Sequence, residues 1–308
     1  MIELLGREGK SFGTQEDRIL SRAVDLELCW GTLDHLDVVQ HIEAAAGAGF
    51  RHVTVSPSRY ERFVREHRDG RAAVRSALAA TGITVTIVDC LMGGLPGSPQ
   101  PSAVAPQYTD MFTVTADDCF RILDELGGET LQVAHFLGAL VPPDEMTDAI
   151  GRLAEKAKAR GFGLLLEFMP GTGIPDFPTA SAMVAAVGRE HVGVMFDTWH
   201  FARTGGDQSQ LERITPGLVG GLQVNDCPLP AAEMAALGYV PMSDRLVPGE
   251  GVFPLTDVLA TILTRSGPVP VGIEVFSSRL RSLPAGEGAK LVYTATASIL
   301  DQIGYPAR

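Results

Sequence analysis

A chain of 308 residues with 45% hydrophobic and 20% charged residues holds enough apolar material for a sizeable core, which excludes global disorder. Its formal net charge of −12 repels phosphate backbones and anionic bilayers, so neither nucleic acid nor a membrane surface is an expected partner. The apolar runs are strand-sized, short of a bilayer span, and Glu3, Arg7, Glu8, Lys10 and Asp17 break any signal-peptide core.

The predicted strands, in chain order, are Asp25–Trp30, His52–Val55, Ile83–Val88, Thr130–Ala134, Phe162–Glu167, Val192–Asp197, Leu218–Val224 and Val269–Glu274. Helical stretches lie between them at 35–48, 60–80, 116–126, 144–160, 177–187, 254–265 and 286–301. Capping chemistry opens several: Thr115 precedes Ala116-Asp117-Asp118, and Pro142-Pro143-Asp144-Glu145 precedes an apolar-periodic run. Parallel strands need crossover helices and close after eight, so the alternation predicts an α/β chain, a single (β/α)8 TIM barrel over 1–308. An open doubly wound sheet competes, but no GxGxxG follows the first strand. Irregular inserts at about 89–114 and 226–252 follow strands three and seven, which places both on the catalytic rim. Cys29, Cys90, Cys119 and Cys227 contain no CxxC pair and read as reduced thiols of a cytoplasmic protein.

Polar residues close the last four strands: Glu167, Asp197, Gln223 and Glu274 each end an apolar run. Counting back by twos reaches Gly163, Gly193, Gly221 and Gly272 on the same face, which predicts room beneath a site at the barrel mouth. Carboxylates crowded there repel one another and push at least one pKa upward. A divalent cation removes the conflict, and oxygen ligands suit Mn²⁺, Mg²⁺ or Co²⁺ better than Zn²⁺.

Five stretches make a more specific pattern: Glu167-Phe168-Met169-Pro170, Phe196-Asp197-Thr198-Trp199-His200, Gln223-Val224-Asn225-Asp226, Arg245 with Pro248-Gly249-Glu250-Gly251, and Glu274. Together they resemble the xylose-isomerase-like TIM-barrel superfamily, broadly sugar phosphate isomerases and epimerases. The resemblance implies one divalent metal, Mn²⁺ foremost, held by Glu167, Asp197, Gln223 and Glu274. Gln223 stands where most relatives have His, and there the chain is similar to some 3-dehydroshikimate dehydratases. The resemblance further implies that His200 touches a substrate hydroxyl and moves a proton, and that Arg245 holds a substrate oxygen or carboxylate. Glu250 either orients a ligand or caps the next helix, and His135 faces either the pocket or the core. Trp199 and Phe168 wall the site or pack the barrel, and Glu27 and Trp30 are candidates from strand one.

Such a site activates a carbonyl and its neighbouring hydroxyl, so that Glu167 and Glu274 exchange protons through an enediolate, with His200 as a further acid or base. The leading expectation is an isomerase or epimerase of a keto-sugar or related polyol. The alternatives are a dehydratase of a cyclic hydroxy-ketone, 3-dehydroshikimate or a keto-inositol, and a non-catalytic metabolite-binding barrel. The DNA-repair branch of the superfamily resembles a His-rich multi-zinc site that seven scattered histidines do not supply. The expected partner is a small polyhydroxylated or keto metabolite, and the resemblance allows a homo-oligomer.

Overall fold

The computed structural model describes residues 22–188, 190–237 and 243–308. The charged stretch before residue 22 and the centre of the second insert lie outside the described residues. Parallel strands β1 (Leu26–Leu28), β2 (His52–Val55), β3 (Thr84–Leu91), β4 (Thr130–Ala134), β5 (Gly163–Glu167), β6 (Val192–Asp197), β7 (Val219–Val224) and β8 (Val271–Ile273) close into one barrel in chain order. The (β/α)8 expectation therefore holds.

Its boundaries shift where local chemistry overrides pattern. β1 stops at Leu28, and a 3-10 turn over Trp30–Leu33 takes over. There the Thr32 hydroxyl donates to the Ile273 carbonyl at 2.6 Å and accepts from the Val275 N–H at 3.0 Å, closing the β1–β8 seam. β3 runs past Val88 to Leu91, so Asp89 belongs to a strand and not to the rim insert. The 60–80 stretch is two helices, Pro57–Glu66 and Gly70–Thr81. Between them His67 leaves helical geometry, donates through Nδ1 to the Phe63 carbonyl at 2.9 Å, and stacks on the Phe63 ring. Short helices Thr198–Arg203 and Gln208–Leu211 fill the β6–β7 connection. The expected cap at Thr115 forms a reciprocal box with Asp118, and Asp37 does the same with Gln40.

Helices bury their apolar faces against the outer strand surface, and a separate cluster of Ile87, Leu165 and Met195 fills the barrel interior. Each of these three side chains contributes roughly 1.5–3 kcal/mol by burial. The strand glycines serve that packing. A Cβ on Gly193 would sit 3.1 Å from Leu165 Cδ2, one on Gly221 3.0 Å from Met195 Cε, and one on Gly272 2.6 Å from Cys29 Sγ. The room beneath the mouth is thus taken by Leu165, Met195 and Cys29 rather than left for a ligand.

Glu27 lies on β1 and is buried. Burial pushes its carboxyl up from 4.5 to about 7, against a hydrogen bond to Thr86 and with a small push from Asp25. The folded chain holds this proton more tightly than an unfolded one, so the stability present at low pH is lost as pH rises from 4.5 through 7. The loss is at most roughly 3 kcal/mol. Glu27→Gln removes it: urea unfolding at pH 8 should show the variant more stable than the parent, and at pH 4 the two should converge. Equal stability at pH 8 would show that Glu27 ionises freely in the fold.

Candidate active site

Glu167 and Asp197 are the last residues of β5 and β6, Gln223 lies one residue before the end of β7, and Glu274 follows β8 directly. Asp197 also caps the helix Thr198–Arg203. Its Oδ1 accepts from the backbone N–H of Trp199 at 2.7 Å and of His200 at 3.2 Å, and from Asn225 Nδ2 at 3.3 Å. The cap turns the chain so that His200 returns over the mouth, with Nε2 3.3 Å from Glu167 Oε1. Thr198 then ties β6 to β7, donating to the Asn225 carbonyl at 2.8 Å and accepting from the Asn225 N–H at 3.0 Å.

Asp226 organises the loop that carries Arg245. Its Oδ1 accepts from the N–H of Cys227 at 2.8 Å and of Phe253 at 3.3 Å. Its Oδ2 accepts from Gly249 at 2.9 Å and Gly251 at 3.0 Å. Gly249 has φ +87°, and any Cβ at Gly251 would overlap the Asp226 carboxylate, which is why the turn reads Pro-Gly-Glu-Gly. An antiparallel bridge from Asp226 to Leu246 sets Arg245 over the mouth. The Arg245 NH1 group donates to Asp197 Oδ2 and Glu274 Oε2, each at 2.9 Å, while the guanidinium lies over Phe276 and Trp199.

The acids differ in proton affinity for separable reasons. Burial pushes Glu274 well above the usual carboxylate range; Arg245 opposes this, and Asp89, Glu167 and Asp197 add to it. Burial and the neighbouring Glu167 raise Asp89 to about 8. In Asp197 the same burial is outweighed by Arg245, His200 and its hydrogen bonds, so its carboxyl lies below the ordinary value. Arg245 therefore holds the Asp197 carboxyl down, while burial keeps that of Glu274 raised.

Glu167, His200, Arg245 and Glu274 line a cavity of 440 Å³ together with Asp89. Trp30, Phe136 and Phe276 form aromatic walls, and the first rim insert adds Met92, Tyr108 and Met111. Asp197 and Gln223 sit just behind this surface, and Trp199 is buried beneath Arg245. His135 packs behind the rim: its Nδ1 accepts from the Gly173 N–H at 2.9 Å, and a Cβ on Gly138 would overlap its ring. Glu250 pairs with Arg279 on the surface. Phe168 packs against Phe177 and Phe196 outside the barrel, and Glu27 does not line the cavity.

Sequence reasoning missed a second row of polar residues. Gln132 Nε2 donates to Glu167 Oε2 at 2.9 Å and to Gln223 Oε1 at 3.2 Å. Gln223 Nε2 donates to Asp89 Oδ2 at 3.1 Å, and Thr54 Oγ1 donates to the same oxygen at 3.2 Å. Thr54 pairs with Ile87 and Gln132 with Leu165, so strand alternation puts both on the inward face, and the signal was present.

A family profile described as xylose isomerase-like TIM barrel matches residues 42–295, which includes all of these strand-end residues. The chain belongs to that family. An inosose isomerase of Halalkalibacterium halodurans is 27% identical over 157 residues, covering 50% of this chain and 54% of the relative. A 3-dehydroshikimate dehydratase of Pseudomonas aeruginosa is 25% identical over 177 residues, covering 56% of this chain and 27% of the relative. This xylose isomerase-like barrel thus spans about half of the first relative and about a quarter of the second. Among solved structures, an IolI protein with a bound zinc atom shares the fold at TM-score 0.74 and 18% identity, over 91% of this chain and 99% of that one.

The loop architecture makes a direct prediction. Asp226→Ala leaves several backbone N–H groups of the Pro248–Phe253 turn without their acceptor and should lower stability by about 3 kcal/mol in chemical denaturation. A variant as stable as the parent would mean that the turn is held by something other than Asp226.

Proposed function

We propose that this chain is a divalent-metal-dependent isomerase or epimerase of a cyclic hydroxy-ketone, acting by proton transfer beside the carbonyl. One observation carries the reading: donor atoms of Glu167, Asp197 and His200 lie within 4.8 Å of one another, beside the cavity that buried Glu274 also lines. Two carboxylates and an imidazole fit a divalent cation, and the negative charge gathered there favours one. In this reading Glu167, Asp197 and His200 hold the ion. Gln223 and Glu274, the other two ligands expected from sequence, stand beside them: the Gln223 carbonyl accepts from Gln132 as Glu167 does, and Glu274 shares Arg245 with Asp197. We assign Mn²⁺, with Mg²⁺ or Co²⁺ as alternatives, and the zinc of the IolI neighbour supports a divalent site of this kind.

The substrate class follows from chemistry shared by the relatives' names. Inosose and 3-dehydroshikimate are both six-membered carbocyclic ketones bearing hydroxyls. A 440 Å³ cavity with one polar floor and aromatic walls suits a single such ring. Bound there, a divalent ion supplies Lewis acidity at the ketone and its neighbouring hydroxyl. Glu167 Oε1 is placed to accept the proton from the carbon beside the ketone, since its Oε2 is already held by Gln132. Glu274 carries the proton that returns to a neighbouring position or to the opposite face. Arg245 orients a substrate oxygen, and the aromatic walls exclude water. The buried free thiols suit the cytoplasm, and among the described residues no helix is long and apolar enough to cross a membrane.

Dehydration is the second reading, favoured by Gln223 and by the similarity to 3-dehydroshikimate dehydratases. It uses the same proton abstraction by Glu167, with a β-hydroxyl leaving as water after protonation by Glu274, since His200 holds the ion in this reading.

Mn²⁺-loaded protein in D₂O, presented with inososes and 3-dehydroshikimate, should place deuterium beside the ketone of one of them without loss of water. Loss of water instead selects the dehydratase. Glu167→Gln should lower either rate by at least about a hundredfold. No exchange and no product from any ring ketone would contradict the assigned substrate class.

A further inference from the structure

The cavity has a second pole that the proposed chemistry does not use. Arg59, in the first turn of the helix Pro57–Glu66, lines the same 440 Å³ space as Glu167, His200 and Glu274. It is not a loose surface cation. Its Nη2 donates to the Leu36 carbonyl, and its guanidinium carbon lies 5.7 Å from the Trp30 ring centroid. Trp30 meets Phe276 edge-on at 5.6 Å, and Phe276 in turn lies 5.1 Å from the Arg245 guanidinium. One aromatic pair thus links the two arginines.

They differ in what balances their charge. Arg245 is bracketed by Asp197 and Glu274, whereas among the described residues no carboxylate forms an ion pair with Arg59. The acids that act on Arg59 are committed elsewhere. Asp34 accepts from Nε and Nη2 of Arg281 at 2.6 Å each, and Asp37 caps the helix Val38–Ala48 through the Gln40 N–H at 2.9 Å. Burial and nearby Arg62 lower the proton affinity of Arg59, and Asp34 and Asp37 oppose this without cancelling it. A half-buried cation in that condition attracts an anion.

We propose that Arg59 is a substrate-binding residue that takes a carboxylate carried by the ring ketone. The inference deepens the reading of a ring-ketone substrate and rests on it. Nη2 commits one hydrogen to Leu36, which leaves one edge of the planar fork, the shape that a carboxylate meets with two parallel bonds. Phosphate draws several donors, and Arg281, which also lines the cavity, is already held by Asp34. The side chains of Met92, Met111, Phe136 and Leu137 line the same space and offer substrate hydroxyls no strong partner. A carboxylated ring with few hydroxyls therefore suits this cavity better than an inosose, whose every other ring carbon bears one. Charge decides which ring is bound, and the metal pole decides what happens to it.

Shikimate and its methyl ester share one ring and differ in charge, so calorimetric titration of metal-free protein with each isolates the carboxylate. The parent should bind shikimate at least about tenfold more tightly than the ester, and Arg59→Gln should erase that difference. Arg59→Lys, which keeps the charge and loses the fork, should restore part of it. Equal affinity of the parent for shikimate and ester, or a preference that survives in Arg59→Gln, would overturn the proposal. Inorganic phosphate that displaces shikimate at equal concentration would overturn the choice of carboxylate. With Mn²⁺ in D₂O, Arg59→Gln should raise KM for 3-dehydroshikimate at least about tenfold and lower kcat far less. Preferential turnover of an inosose by the parent would also overturn the proposal. Should no ring ketone exchange at all, the functional reading fails, and the shikimate titration still decides the role of Arg59.

Discussion

Burying Asp89, Glu167, Asp197 and Glu274 at one barrel mouth around the Arg245 guanidinium is the constraint on which the rest of the site depends. Full ionisation would leave several negative charges in a low-dielectric space, which is costly unless each is protonated or paired. The fold uses both remedies. Arg245 pairs with Asp197 and Glu274, while burial raises the carboxyls of Asp89 and Glu274 above the ordinary carboxylate range. In the proposed function, such a site gives a proton at Glu274 and attracts a small divalent cation beside Glu167, Asp197 and His200.

The short motifs of the C-terminal half are parts of one mechanical assembly. Asp197 caps the helix that presents His200, and Thr198 fastens that helix start to Asn225 after β7. The residue after Asn225 is Asp226, which gathers the Pro248–Phe253 turn and so sets Arg245 back against Asp197. Chain order β6, β7, loop, β6 thus closes a circuit around the carboxylates. The same side chains that define the resemblance to relatives also explain why the turn needs Gly249 and Gly251.

How much of this was legible in the sequence follows the same physical lines. The barrel was readable because apolar strands and capped helices alternate with little interruption, and the strand-end acids stood out against apolar runs. Asp89 was hidden because Val88-Asp89-Cys90 looks like the start of an irregular insert, whereas the register shift between Val88 and Leu91 lets β3 carry it into the barrel. Gln132 and Thr54 were passed over as isolated polar residues within strands. His135 and Glu250 show the opposite limit: a strand-following His and a turn Glu look functional from spacing alone, but only three-dimensional packing places one behind the rim and the other against Arg279. The inward glycines were read as empty space because periodicity gives the face of a residue and not the reach of its neighbours.

The ligand set is the central claim, and anomalous diffraction from crystals soaked in Mn²⁺ tests it most directly. The account predicts a single manganese peak in the mouth, with Glu167, Asp197 and His200 as its protein ligands. A peak coordinated by Gln223 and Glu274 with His200 turned away, or none at the mouth under saturating metal, would contradict it.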